Sequence, residues 1–254
     1  MKYRVGEISY NKYGSLMKII EYRNSDDIDI IFPNYNYIVF NKQYHNFKNG
    51  NIKCPYDKTI LNIGYIGDGN YKTTNGLVGK LKDNSIQYKY WYSMLRRCFD
   101  EKFKINHKSY KDCTVDEEWH NFQNFAKWFD ENYYEIDNER MHLDKDILIK
   151  ENKIYSPETC IFVPQRINDL FVKCDKSRGE YPIGVIKTKN NKFYSYVNVI
   201  KRVHLGSYKT PEDAFNAYKT FKENYIKQVA DDYKDKIPKK LYDAMYKYEV
   251  EITD

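Results

Sequence analysis

The chain has 254 residues, with 42 Lys and Arg against 36 Asp and Glu, for a formal net charge of +6 at pH 7. This length can bury a core in one large domain or in several small modules, and the basic excess suits an anionic partner such as nucleic acid without identifying one. No run of about 18 apolar residues exists to span a bilayer, and the amino-terminal MKYRVGEISYNKYG lacks the apolar stretch of a secretory signal, so a cytoplasmic chain with no membrane partner is expected.

Five cysteines, Cys54, Cys98, Cys113, Cys160 and Cys174, are odd in number and widely spaced, which argues against a disulfide framework. Structural zinc would draw on Cys98, His107, Cys113 and Cys160, but no C-x-x-C pair occurs and zinc is not expected. The 27 tyrosines accompany many Lys, Asn and Ile, the amino acids of AT-rich codons. Position, not count, must therefore carry any argument about stacking or phosphate contact.

From Tyr3 to about Lys53, short β-rich runs (SLMKIIEY, DIDIIF, YNYIVF) alternate with the breaks NKYG, RNSDD and KNGN. This punctuation predicts a small, SH3-like barrel of about five strands. Pro55 to Gly79, with IGYIGDGNYKTTNG, reads as a loop or linker. The period then becomes helical, with Tyr88, Trp91, Tyr92, Leu95 and Phe99 on one face. A second helix is expected behind a capping box of Thr114 and Glu117, with Trp119, Phe122, Ala126, Phe129 and Tyr133 as its apolar stripe. These aromatics read as core.

From Met141 the pattern returns to strand, turns at Lys150 to Lys153, and resumes through Thr159 to Val163. A helix should start at Pro164, since the first helical position has no use for an N–H. The result is a hairpin followed by a short helix, with a carboxylate, Asp144, on the first and an amide, Asn168, on the second. Hydrolysing a phosphodiester requires a nucleophilic water, a base, and a cation that stabilises the developing charge. A single hard cation such as Mg2+ or Mn2+ prefers oxygen ligands, and Asp144 and Asn168 offer one each.

After CDKSRGE come three short strand candidates, Ile183 to Thr188, Phe193 to Ile200 and Arg202 to Tyr208. Thr210, Pro211 and Asp213 then open a helix whose buried face is Ala214, Ala217, Tyr218, Phe221 and Tyr225. Between Lys187 and Lys209 there are six Lys or Arg and no acid. A three-stranded sheet here is strongly positive, and a ribbon of this size fits the major groove.

The segment LDKDILIKENKIYSPETCIFVPQRIN resembles the metal-binding core of the HNH (ββα-metal) nucleases, phage-encoded homing endonucleases among them. The resemblance covers roughly Tyr88 to Phe171, including W-x-x-M-L-x-R-C (Trp91 to Cys98) and W-x-x-F-x-x-F (Trp119 to Phe125). It implies that Asp144 and Asn168 are metal ligands, and that Lys145 stands where the family keeps its base histidine. His142, two residues before Asp144 on the same strand face, is then a candidate base. Three readings stay open: a nuclease using His142 or Lys145, a nickase, and a finger that grips DNA without cutting it.

The stretch from Ile183 to Phe221, with I-G-V, H-L-G-S-Y (His204 to Tyr208) and A-x-x-A-Y (Ala214 to Tyr218), resembles the Apetala/ethylene-response-factor type of DNA-binding domain. That resemblance implies that Lys187, Lys189, Lys192, Tyr194, Tyr196, Asn198, Lys201 and Arg202 face duplex DNA, the basic residues for grip and Asn198 and Arg202 for base edges.

The expected fold is thus α+β and multidomain. Residues 1–80 form a β-rich module, 81–178 the helical and ββα finger domain, and 179–254 a three-stranded sheet packed on one helix. The function expected is that of a homing-endonuclease-like DNA-binding protein, at work in the host cytoplasm when phage-encoded. A non-cleaving DNA-binding regulator is the alternative, and so is a protein-binding inhibitor acting through the amino-terminal module.

Overall fold

The computed structural model describes residues 4–76, 83–172, 180–199 and 201–252. Most of the CDKSRGE segment, with Cys174, and Ile200 at the end of the second expected carboxy-terminal strand lie outside the described residues. The fold is mixed α+β, with several small sheets and two compact units. The first unit comprises Met1–Tyr133 and Lys153–Glu158, the second Tyr134–Asn152 and Thr159–Asp254.

In the first unit, β1 (Ile8–Tyr10), β2 (Leu16–Asn24), β3 (Asp27–Phe32) and β4 (Tyr37–Lys42) form an antiparallel meander in sequence order. Alternation sends Met17 and Ile19 of β2 and Ile28, Ile30 and Phe32 of β3 to one buried face. The short helix α1 (Tyr44–Lys48) adds Phe47 to that core, and Ile52 and Cys54 complete it. Among the described residues no barrel closes: four strands form where about five were expected. After α1 the chain is held by the buried carboxylate of Asp57, which accepts from Asn11 Nδ2 (2.8 Å), Ser15 Oγ (2.6 Å) and Cys54 N (2.9 Å). These bonds fasten the segment after α1 to the β1–β2 turn rather than extending the sheet.

The Gly-rich segment that follows is fastened as well. Gln123 donates from Nε2 to the carbonyls of Ile66 (3.2 Å) and Tyr71 (3.0 Å) and accepts from Tyr71 N (2.9 Å). Gly67, at φ +74°, packs so closely on Asn121 that an added Cβ would lie 2.1 Å from its Oδ1, so a larger residue does not fit.

Helix α2 (Ile86–Phe99) starts where Ser85 Oγ accepts from Tyr88 N at 3.3 Å. Its buried residues are Trp91, Met94, Leu95 and Cys98, while Tyr92, placed on the apolar stripe by its spacing, is exposed. Helix α3 (Glu101–Asn106) follows directly. The expected capping box is absent, because Thr114 belongs to β5 (Thr114–Val115), which pairs in parallel with β7 (Ile154–Tyr155). Helix α4 (Phe122–Asn132) begins later, capped by Asn121, and buries Phe122, Phe125, Ala126 and Phe129. Trp91 Nε1 donates to the Trp119 carbonyl at 2.7 Å, joining the two aromatic stripes.

In the second unit, β6 (Met141–Asp144) pairs antiparallel with β8 (Ile161–Pro164), and α5 (Gln165–Asn168) follows, so Pro164 precedes the helix by one residue. Then come β9 (Val185–Lys187), β10 (Phe193–Asn198) and β11 (Arg202–Tyr208), an antiparallel sheet in the order β11-β10-β9. Thr210 Oγ1 accepts from Asp213 N at 3.1 Å and caps α6 (Pro211–Asp232), as its sequence predicts. Helix α7 (Lys239–Lys247) ends the described elements.

Helix α6 is a shared spine. Its first half places Ala214, Phe215 and Tyr218 against Val185 and Val197 of the sheet. Its second half places Ile226, Val229 and Ala230, with Leu241 and Met245 of α7, against Ile147, Ile161, Val163 and Ile167 of the hairpin and α5. Each such large side chain contributes about 1.5–3 kcal/mol by leaving water. The ββα segment and the cationic sheet thus belong to one compact unit.

Candidate functional site

Alternation along β6 buries Met141 and Leu143 and leaves His142 and Asp144 half-exposed on the opposite face. The register pairs His142 with Val163 and Asp144 with Ile161. α5 packs on both strands. Gln165, the first residue of α5, donates from Nε2 to Asp169 Oδ1 at 2.5 Å, which turns its Oε1 towards His142 Nε2, also at 2.5 Å. With Gln165 Oε1 as acceptor, His142 Nε2 is the donor of this bond.

Asp144 uses one oxygen to close the turn after β6: Oδ1 accepts from Asp146 N (2.9 Å) and Ile147 N (2.8 Å). Its Oδ2 has no hydrogen-bond partner among the described residues. Burial, and next the negative charge of Asp146, push the Asp144 carboxyl up to about 6, against the pull of the two backbone N–H groups and Lys145. Asn168 ends α5 half-exposed, and its carboxamide likewise has no hydrogen-bond partner among the described residues.

Lys145 does not share this face. Only 6 % exposed, it donates from Nζ to Asp146 Oδ2 and to the Asn152 carbonyl, both at 3.0 Å. Asn152 Nδ2 returns a bond to the Lys145 carbonyl at 2.6 Å. Lys145 thus fastens the ends of the hairpin loop. Among the described residues no cluster of three or more His, Cys, Asp or Glu is arranged to hold a metal ion. Asp144 and Asn168 each carry an oxygen of the kind a hard cation such as Mg2+ prefers.

On the sheet, β10 turns Ser195 and Val197 inward and Tyr194, Tyr196 and Asn198 outward. The pairing Asn198↔Arg202 and Tyr196↔His204, with a bulge after Ser195 that matches Gly206, puts Arg202 and His204 on the same outer face. Arg202 lies 4.4 Å over the Tyr196 ring and donates from Nε to Asn198 Oδ1 at 3.3 Å. Tyr194 meets His204 edge to face at 4.9 Å. Lys189, Lys192 and Lys201 are exposed in the turns around this face. Lys187 is exposed too, but it pairs with Phe193, an inward residue, whereas Ile186 pairs with the outward Tyr194. Period-two alternation therefore sets Lys187 on the helix side of the edge strand.

Two contributors escaped the sequence reading. His204 was accessible to it, since alternation from Arg202 along β11 reaches that face. Gln165 was not, because only the β6–β8 register brings it to His142. No protein-family model, curated protein or solved structure matches the chain.

Proposed function

We propose that the chain is a DNA-binding protein of the homing-endonuclease kind. The outer face of the β9–β11 sheet holds duplex DNA, and the β6–β8–α5 finger presents Asp144 and Asn168 to a divalent cation, Mg2+ or Mn2+, beside a backbone phosphate. The observation that carries this reading is Asp144: a half-buried carboxylate with a raised proton affinity and one oxygen uncommitted. Perturbed acids of this type concentrate at functional sites.

When bound, the cation supplies charge stabilisation at the phosphoryl oxygens. Asp144 and the Asn168 amide oxygen would hold it, the carboxyl being ionised for that role above pH 6. His142, oriented by Gln165, is the base proposed for the attacking water. On the sheet, Lys189, Lys192, Lys201 and Arg202 supply salt-dependent grip, while Tyr194, Tyr196 and Asn198 contact the groove.

A second reading, a regulator that binds DNA without cutting it, draws on Lys145, which is bonded into its loop where the family pattern has a catalytic imidazole. Nicking of supercoiled plasmid separates the two. Mg2+-dependent nicking that Asp144→Ala abolishes supports the nuclease; salt-sensitive duplex binding without nicking supports the regulator. Absence of both would overturn the nucleic-acid reading and leave a protein-binding role for the amino-terminal module.

A further inference from the structure

We propose that Arg97, near the carboxy-terminal end of α2, anchors an anion site in the first unit that takes a phosphate-type oxyanion. Arg97 is half-buried, and the hydrogen bond it makes is with a neutral group: Nη1 donates to Tyr155 Oη at 3.3 Å. Its guanidinium lies 5.7 Å from the centre of the Tyr110 ring. No carboxylate among the described residues forms an ion pair with it. Its exposed neighbour Arg96 differs, pairing with Asp100 at 3.4 Å. The more enclosed cation thus lacks the counter-charge that the more exposed one has.

A partly desolvated charge without a counter-charge is costly. The helix end supplies a partial negative charge of about half a unit, which Arg96 shares. A planar guanidinium offers five N–H donors in a fork that matches two oxygens of a phosphate. One is taken by Tyr155, a wall residue only 2 % exposed whose strand β7 is fixed by pairing with β5. The Tyr110 ring, 5.7 Å away, is a second aromatic neighbour of the fork. Lys108 and Lys111, exposed on either side of Tyr110, form no ion pair among the described residues, and Asp112, next along the chain, is exposed as well.

All these groups belong to the first unit, so the site does not rest on the finger or on the sheet. The oxyanion has two sources, a nucleic-acid backbone or a free phosphate, and both present the same chemistry to Arg97.

The test uses the full chain and two variants. Arg97→Gln keeps a donor for Tyr155 but removes the charge; Arg97→Lys keeps the charge but removes the fork. Inorganic phosphate and, separately, a short DNA duplex are titrated at matched ionic strength, with chloride as control. Unfolding of the first unit is followed by tryptophan fluorescence, and duplex affinity is measured against salt.

Phosphate that raises the wild-type Tm, with the shift reduced in Arg97→Lys and absent in Arg97→Gln, supports a free-phosphate site. A salt slope of duplex binding that falls by about one in Arg97→Gln supports a backbone phosphate. Either result stands even when variants of the outer sheet face leave DNA binding unchanged, so failure of the function proposed above is read separately. The inference is overturned when neither ligand responds differently in wild type and Arg97→Gln. It is also overturned when neither phosphate nor duplex titration moves the Arg97 side-chain N–H resonances of the wild type, a readout that needs no variant to fold.

Discussion

His142 donates from Nε2 to Gln165 Oε1 across 2.5 Å, and this bond joins the middle of β6 to the first residue of α5. It sets the ring orientation and the tautomer together, because Gln165 is itself oriented by Asp169. Gln165→Leu removes the acceptor and keeps the bulk. The expected loss of stability is about 1 kcal/mol, and nicking falls by about tenfold or more, as for other partners that orient a functional histidine. Denaturant melts and plasmid nicking on the same preparation check both; full nicking in this variant would show that the orientation is set elsewhere.

Asp144 predicts a stability that falls as pH rises. Its folded-state carboxyl titrates at about 6 against an ordinary 3.8, so its favourable contribution is full below the ordinary value and is lost as pH rises through the folded one. Asp144→Asn keeps an oxygen to accept from Asp146 N and Ile147 N but cannot ionise. Amide exchange in β6 and β8 should show the variant more protected than wild type at pH 7.5 and equal to it near pH 3.5. Mg2+ should close the gap at pH 7.5 by stabilising wild type alone. A gap that does not depend on pH would refute the assignment.

His120 predicts the opposite slope in the other unit. Its Nε2 is buried without a hydrogen-bond partner, and the ring packs edge to face on Phe99 at 6.0 Å. Burial lowers its pKa from 6.5; Lys58 lowers it further, while the Val115 carbonyl, Glu117 and Asp116 pull it back up. A depressed imidazole contributes stability that is full above the ordinary value and lost as pH falls through the folded one. Trp91, Trp119 and Trp128, the only tryptophans of the chain, all lie in the first unit, so fluorescence reports on it alone. The denaturation midpoint should drop between pH 7 and 5, and His120→Phe should flatten that drop; an equal drop in both proteins would rule His120 out.

Arg202 and Lys187 should differ in DNA binding although both are exposed cations. Arg202 is held over Tyr196 on the outer face, so Arg202→Ala should weaken duplex binding and lower the salt slope by about one. Lys187→Ala should leave the slope unchanged, because its pairing with Phe193 turns it to the helix side. Equal losses in the two variants, measured by fluorescence anisotropy across a salt series, would place the DNA on a different surface.

Local pattern made much of this chain legible. Alternation in DIDIIF and FYSYVN, helical spacing around Trp91 and Phe122, and the Thr210–Pro211–Asp213 start of α6 each describe a preference that a few adjacent residues satisfy among themselves. Errors arose where a local signal met a competing long-range one. Thr114 has capping chemistry, yet its backbone pairs with Ile154, 40 positions along the chain. The amino-terminal strands have barrel-like punctuation, yet the chain after β4 is captured by the Asp57 hydrogen bonds and by Phe47 in the core.

The sequence by itself determined most of the element types, the α+β class and the alternating faces of the strands, because backbone preference and side-chain periodicity act over a turn or a strand. Only the tertiary structure decided that β6 takes β8 while β7 goes to β5, that Lys145 closes a loop, and that α6 serves both the hairpin and the sheet. Those outcomes depend on which distant apolar faces and unpaired donors meet when water is excluded, and no stretch of neighbouring residues carries that information.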